Sequence, residues 1–235
     1  MTFGEEFESL ADAPATGSGM LEQAVRYLLA CLRQAAPARL SCPTPCAGWD
    51  LRMLLSHVSE SLEALTEGLA CGVVGSSPAP AVSPGAEIAS VRVRCARLLA
   101  AAATPGSPAG PGVPATPGVP AAATPGVPAA PGCSGDPAGH HVAVGDRDMT
   151  RALLSWAGAV EVAVHGWDIG AACGRPEPVP CRLAGPLLRA APLLVSASVR
   201  DGLFGAPVPV PAGASAGSRL VAFLGRRPEQ PMASV

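Results

Sequence analysis

The sequence predicts an all-α fold, an antiparallel bundle of four core helices followed by one or two shorter helices. Apolar residues recur at helical spacing in several long segments, and Pro or Gly residues separate these segments. Strand-like patterns are almost absent outside residues 141–144 and 208–210. At 235 residues, the chain suits one domain with an appendage. We place the bundle at residues 18–175 and a C-terminal helical extension at residues 176–228.

Composition argues against several classes of function. The net charge is −2, so we expect no binding to nucleic acid. No stretch of about 18 apolar residues is free of Pro, Gly or charge, so we expect no membrane span. The first residues contain no apolar signal segment. The eight Cys residues include no CxxC pair, which argues against a zinc ribbon or a thioredoxin site. We therefore expect a reduced, cytoplasmic protein.

The first two predicted helices carry clear apolar stripes. The first runs over about residues 18–36 and ends at Pro37, with the stripe Met20, Leu21, Val25, Leu28, Leu29 and Leu32. Asp50 is predicted to cap the second helix, because its carboxylate can accept the unpaired amides of the first turn. The stripe of this helix contains Leu51, Leu54, Leu55, Val58, Leu62, Leu65 and Leu69. His57 lies at the edge of that stripe, close to Ser61.

A third helix is predicted at residues 86–103, and a low-complexity segment follows it. The tetrapeptide Pro-Gly-Val-Pro occurs at residues 111–114, 117–120 and 125–128. Residues 104–132 offer almost nothing to bury, so we expect a disordered insertion between the third and fourth helices. His140 and His141 follow this insertion and are interpreted as loop residues.

The fourth helix is predicted over about residues 147–172, and Gly174 and Pro176 end it. Gly166 within it can permit close packing against another helix. A fifth helix is expected over residues 183–199, with Pro186 and Pro192 starting or kinking it. Ser218 is predicted to cap a short final helix over residues 219–224.

The fourth helix carries the most informative spacing in the chain. Glu161 and His165 are four residues apart in an apolar run, so both side chains lie on one helix face. If the second and fourth helices are neighbours, His57 can supply a third ligand. His, Glu and His suit zinc with an open fourth position, although nickel or iron could also bind. The alternative is a hydrogen-bonded histidine at the core boundary together with an ordinary contact within the helix.

Several other residues are candidates for supporting roles. Asp168 can fix the tautomer of His165, or it can simply be a carboxylate near the helix end. Ser61 and Trp167 are candidate pocket residues. Glu60 is a rival ligand of lower rank. Trp49 can line the pocket or anchor a helix end, and we favour the anchor. Cys46 can be a reactive thiol, but no base is evident near it, so an ordinary loop cysteine is favoured.

Four segments together resemble a known family. Residues 44–57, TPCAGWDLRMLLSH, are similar to the first signature of the mycothiol-dependent maleylpyruvate isomerase-like proteins. These are actinobacterial relatives of the DinB superfamily. Residues 161–168, EVAVHGWD, resemble their second signature, and residues 204–211 and 219–226 resemble the C-terminal part of a metal-binding subfamily. The resemblance covers about residues 18–100 and 138–228, and the Pro-Gly-Val-Pro insertion departs from the family pattern.

This resemblance implies a DinB-like four-helix bundle that holds a divalent metal, usually zinc. The ligand positions of the family match His57, Glu161 and His165. The characterised relatives use the thiol mycothiol as cosubstrate, which implies a thiolate that attacks an electrophilic small molecule as an isomerase or an S-transferase. The alternative is a non-catalytic metal-binding or ligand-sensing bundle in which the Pro-rich segment binds a partner. We expect a monomer or a homodimer.

Overall fold

The computed structural model describes residues 16–75, 85–103, 141–196, 200 and 204–228. This part of the chain is mostly helical, as predicted, but it also contains a small three-stranded sheet that an all-α class leaves out. The elements are α1 (Gly17–Leu32), a 3₁₀ helix (Pro37–Arg39), α2 (Leu51–Cys71), β1 (Val73–Val74), α3 (Glu87–Ala103), β2 (His141–Val144), β3 (Arg147–Thr150), α4 (Arg151–Ala172), α5 (Cys181–Leu194) and α6 (Ala216–Phe223). The predicted insertion at residues 104–132 and His140 lie outside the described residues.

Helices α1 to α4 pack around one apolar core. α1 packs along α4, and α2 packs against both α3 and α4. Among the described residues, the largest fully buried side chains are Trp156 and Ile169 of α4 and leucines of α1, α2, α3 and α5. The predicted apolar stripes therefore form the shared core, because burying apolar surface is the main favourable contribution to folding.

The directions of the helices differ from the predicted antiparallel arrangement. α2 and α4 are antiparallel, since His57 contacts Glu161 while a Cβ on Gly68 would lie 2.6 Å from Leu154 Cδ2. α2 and α3 are instead parallel, because Arg52 pairs with Glu87 near both N-termini and Arg97 pairs with Glu63 further along. A parallel pair needs a connection as long as the helix itself. Residues 72–86 can span about 50 Å when extended, which exceeds the length of α2 of about 32 Å.

α1 and α4 are also parallel and approach each other closely. A Cβ on Gly17, at the start of α1, would lie 2.9 Å from Ala152 O, near the start of α4. A Cβ on Gly166 would lie 3.1 Å from two ring carbons of Tyr27, further along both helices. The absence of a side chain at these two glycines lets the helices pack at this separation.

The sheet replaces the predicted first turn of the fourth helix. β2 pairs antiparallel with β3, with His141 opposite Thr150, and β1 pairs parallel with β2. α4 begins at Arg151, not at residue 147, because the Thr150 side chain accepts a hydrogen bond from Leu153 N and caps the helix there. Residues 208–210 form no strand.

The ends of the other helices are explained by their caps. Asp50 caps α2 as predicted, accepting a hydrogen bond from Met53 N at 2.8 Å. The cap of the final helix is Ser215, which accepts a hydrogen bond from Ser218 N, so the prediction that Ser218 is the cap was wrong. α1 ends at Leu32, four residues earlier than predicted. The predicted fifth helix corresponds to Cys181–Leu194, with Pro186 and Pro192 inside it.

None of the described helices is both long enough and apolar enough to cross a bilayer. Six cysteines in the described ranges are free thiols. Cys71 is disulfide-bonded, which departs from the expectation of a fully reduced chain.

Candidate metal centre

α2 and α4 bring His57, Glu161 and His165 together. Glu161 Oε1 lies 2.8 Å from His57 Nε2 and 3.2 Å from His165 Nε2. One ligand atom from each of these residues lies within 4.8 Å of the other two. Glu161 and His165 share one face of α4, and the antiparallel contact with α2 places His57 opposite them. The geometry therefore joins the three residues that the sequence indicated as ligands.

Two neighbours hold this cluster in place. Ser61, one turn after His57 on α2, donates a hydrogen bond to Glu161 Oε1 at 3.3 Å. The ring of Trp49 lies edge-on to the His57 ring, with centroids 5.0 Å apart. Trp49 thus contacts a candidate ligand directly, which is more than the helix-end anchor expected from the sequence.

A buried ion pair lies behind His165. Asp168 Oδ2 is 3.0 Å from His165 Nδ1, and the Asp168 carboxylate accepts two hydrogen bonds from Arg226, from Nε at 3.2 Å and from Nη2 at 2.8 Å. Asp168 is completely buried and Arg226 is 6% exposed. The hydrogen bond to Asp168 directs His165 Nε2 towards Glu161 and leaves that nitrogen as the one available to an ion.

Cys46 lies at the edge of the same network. Its thiol is 3.4 Å from Asp168 Oδ2, and Arg226 Nη2 donates to its sulfur at 3.4 Å. Cys46, His165 and Asp168 form a second group of closely spaced ligand atoms. This group is the poorer candidate for an ion, because both Asp168 oxygens already accept hydrogen bonds from Arg226.

The charges of the cluster stabilise each other. Burial alone would raise the pKa of Glu161, but the imidazoles of His165 and His57 hold that pKa well below its usual range. Burial alone would lower the pKa of His165, but the carboxylates of Glu161 and Asp168 raise it well above its usual value. Likewise, Arg226 and His165 lower the pKa of Asp168 against the effect of burial. Without an ion, a proton on His165 therefore balances the carboxylates.

A comparison with protein families identifies the chain. The family model described as "Mycothiol maleylpyruvate isomerase N-terminal domain" matches residues 21–170, which is more than half of the sequence. The chain belongs to this family. Neither a curated protein nor a solved structure matches it significantly. The resemblance recognised in the sequence motifs is confirmed.

The match to the mycothiol maleylpyruvate isomerase N-terminal domain includes His57, Glu161 and His165, and also Asp168. Arg226 lies beyond the matched residues but completes the buried pair with Asp168. No role for Arg226 was predicted from the sequence. The available signal was a basic side chain directly after the Gly225 that ends the final helix, within a segment already noted as similar to the family.

Other residues considered from the sequence lie away from the cluster. Trp167 is buried and is not among the described residues that line the cavity beside the cluster. Glu60 is exposed and accepts a hydrogen bond from Ser56, so it does not compete as a ligand in this structure. His141 is an exposed residue of β2.

The donor set of this family member fits a divalent metal. Two imidazole nitrogens and one carboxylate oxygen are typical ligands of zinc, and the other nitrogen of His165 is already bound to a carboxylate, as in many metal sites. His57 and Glu161 have side chains that are 36% and 27% exposed, so the cluster opens to one side. That side faces a cavity of about 980 Å³.

Proposed function

We propose that this protein binds a divalent metal ion, zinc being the expected one, through His57, Glu161 and His165. The proximity of the three ligand atoms, within 4.8 Å of one another, is the observation that carries the proposal. The family match supports a mycothiol-related function for this site, because the family is named for a mycothiol maleylpyruvate isomerase. We further propose a DinB-like four-helix bundle at residues 18–175, with residues 176–228 as an extension that supplies Arg226.

The proposed activity is that of a mycothiol-dependent isomerase or S-transferase. His57, Glu161 and His165 would hold the ion, and an ion held there would favour the thiolate form of a thiol bound beside these residues. A mycothiol thiolate is a nucleophile that adds to an electrophilic double bond. If it leaves again after rotation about that bond, the result is cis–trans isomerisation. If it stays attached, the result is S-transfer.

The residues of the chain have separate tasks in this scheme. Ser61 orients the carboxylate of Glu161 through its hydrogen bond, and Asp168 fixes the ring of His165. The partly exposed side of His57 faces the cavity, where substrates would enter. Apolar residues line much of that cavity, and an apolar substrate bound there would displace water from the reacting thiolate and strengthen the electrostatic interactions within the site.

The test begins with the metal. Purified protein is analysed for bound metal, then incubated with mycothiol and a panel of electrophiles that includes maleylpyruvate. We expect close to one zinc per chain and turnover that a chelator abolishes. His165→Ala is expected to lose most of the metal, whereas His141→Ala, which changes an exposed histidine in β2, serves as the control.

The outcomes separate the hypotheses. Absence of metal from carefully purified wild-type protein would refute the shared premise. Stoichiometric zinc without turnover of any electrophile would favour the non-catalytic metal-binding or ligand-sensing alternative. Deletion of residues 104–132 would then test whether the Pro-rich segment binds a partner. The cytoplasmic location and the monomeric or homodimeric state stay predictions, which fractionation and light scattering can check.

A further inference from the structure

The cavity beside the cluster has a polar end and an apolar end. Its polar end contains the three candidate ligands together with Ser61, Cys46 and Arg226. Its apolar end is lined by Ala64 and Leu65 of α2 and by Leu154 and Ala157 of α4. Leu194 and Phe204 also line the cavity, with the Phe204 ring beside Arg226. The volume of about 980 Å³ is at the upper end of the range for small-molecule sites, so the cavity has room for a sizeable ligand.

The antiparallel packing of α2 and α4 gives the cavity its direction. His57 contacts Glu161 at the polar end. Leu65 lies two turns further along α2 and packs against Gly158 of α4, where a Cβ would be only 2.6 Å from Leu65 Cδ2. Leu154 lies another turn away. Leu154 and Glu161 are seven positions apart on α4, so the apolar end extends about 10 Å from the candidate ligands.

Small residues keep this apolar end open. Ala157 lies between Leu154 and Glu161 on one face of α4, and Ala64 lies opposite on α2. Both alanines are partly accessible, unlike the fully buried core residues nearby. Space beside small side chains in a wall of leucines suits an alkyl or aryl group, since burying such a group there removes apolar surface from water.

The cavity offers little to a substrate with two carboxylates. Among the described residues that line it, Arg226 is the one Lys or Arg side chain. Its guanidinium is already engaged: Nε and Nη2 donate to Asp168, and Nη1 donates to Leu224 O at 2.7 Å. A dicarboxylate placed in the apolar end would lose its hydration without gaining a cation in return, which is costly.

We infer that the cavity binds a ligand with an apolar body about 10 Å long. The identification of this ligand as the electrophile rests on the proposed function. A long-chain or aryl-substituted enone is the chemical class that fits. In its reaction with mycothiol, the sulfur bonds to the β-carbon and the carbon–carbon double bond becomes a single bond. The thiol proton ends on the α-carbon, so the addition consumes only the two substrates.

The test compares electrophiles that share a reactive group. Hexyl vinyl ketone, methyl vinyl ketone and maleylpyruvate are each supplied with mycothiol and the zinc-loaded protein, and each kcat/KM is divided by the uncatalysed rate constant. We expect the hexyl ketone to exceed the methyl ketone by about tenfold or more, because each methylene in an apolar pocket contributes strongly to discrimination. We expect maleylpyruvate to rank below both ketones.

Two variants and a control locate the effect. Ala157→Leu fills the apolar end and is expected to reduce kcat/KM for the hexyl ketone about tenfold while changing that for the methyl ketone less than about twofold. Ala64→Leu fills the same space with a side chain from α2, and this variant is used instead if Ala157→Leu fails to fold. Ala96→Leu places the same side chain on an exposed position of α3 and should change neither value.

A binding measurement separates this inference from the proposed function. The neutral fluorophore N-phenyl-1-naphthylamine is titrated into metal-free and zinc-loaded protein, and we expect binding that Ala157→Leu or Ala64→Leu weakens about tenfold. If this occurs without turnover of any electrophile, the proposed function fails and the apolar ligand site stands. If maleylpyruvate is the best substrate, the proposed function stands and the inference is overturned. Failure of the fluorophore to bind also overturns it.

Discussion

Arg226 and Asp168 form an ion pair in the interior of the protein, 58 residues apart in sequence. Two hydrogen bonds join the guanidinium to the carboxylate, and the same ionised carboxylate accepts a third from His165 Nδ1. The pair connects the segment after α6, which contains Arg226, to the face of α4 that carries the candidate ligands Glu161 and His165. Its role is to hold Asp168, and through it the ring of His165, in a fixed position.

Removal of the cation from this pair should destabilise the protein strongly. In Arg226→Met, Asp168 keeps its buried carboxylate without its main partner, so the free energy of unfolding is expected to fall by about 3–5 kcal/mol. Urea denaturation of the metal-free proteins measures this change. Arg219→Met removes an exposed arginine of α6 and should shift the value by less than about 0.5 kcal/mol. Equal effects of the two substitutions would contradict a special role for Arg226.

The sequence could predict the cluster on α4 but not the residue behind it. The four-residue spacing of Glu161 and His165 fixes their common face in any α-helix, and the apolar stripe of α2 shows which side His57 borders. Arg226 meets Asp168 only because α6 packs against α5 and the chain then returns to α4. No periodicity within one helix carries that information.

The directions of the helices and the sheet were missed for a similar reason. Helical spacing predicts which face of α2 or α3 is buried, but it is the same for parallel and antiparallel neighbours. Met149 fits both the apolar row of a helix and the inward alternation of β3, so the pattern alone could not place the start of α4. The pairing with β2 and the cap at Thr150 decide it.

Zinc binding should release a proton from the cluster. The carboxylates of Glu161 and Asp168 raise the pKa of His165, so the metal-free protein keeps a proton on this imidazole at neutral pH. A metal ion needs the unprotonated Nε2, so the affinity for zinc is expected to fall as the pH falls, with release of about one proton per ion near pH 7.

Calorimetry in buffers with different heats of ionisation counts these protons. The variant His141→Ala, which removes an exposed imidazole, should leave the number unchanged. If the affinity for zinc does not vary between about pH 6 and pH 8, zinc binding does not displace a proton from any histidine of the cluster, which would contradict this prediction.

Ser61 should tune the affinity for metal with little effect on stability. Its hydroxyl donates to Glu161 Oε1 at 3.3 Å from a partly buried position. Ser61→Ala is expected to weaken zinc binding by about tenfold, the lower end of the range for residues that orient metal ligands. Competition with a chromophoric chelator measures the affinity. Ser56→Ala, on the same helix but bonded to the exposed Glu60, is the matched control and should bind zinc as the wild type does.

Gly166 should be required for the close packing of α4 against α1. A methyl group there would lie 3.1 Å from Cδ1 and Cε1 of Tyr27 and 3.2 Å from the backbone Cα of Leu28. Backbone atoms cannot rotate away as a flexible side chain can, so Gly166→Ala should force the two helices apart. The cost of overpacking, about 1–3 kcal/mol, outweighs the gain of up to about 1 kcal/mol in helix propensity. We therefore expect a net loss of stability in thermal and urea unfolding.

Gly185 in α5 provides the matched comparison for this substitution. Apart from its two chain neighbours, a Cβ there would meet no atom within 4 Å. Because Pro186 follows and disfavours helical backbone at a preceding residue with a Cβ, the gain in helix propensity is largely offset, and Gly185→Ala should change the free energy of unfolding by less than about 1 kcal/mol. A clear loss for Gly166→Ala beside little change for Gly185→Ala would show that the separation of α1 and α4 depends on the missing side chain at Gly166. Because Gly166 directly follows His165, its alanine variant should also bind zinc more weakly, while the Gly185 variant should not.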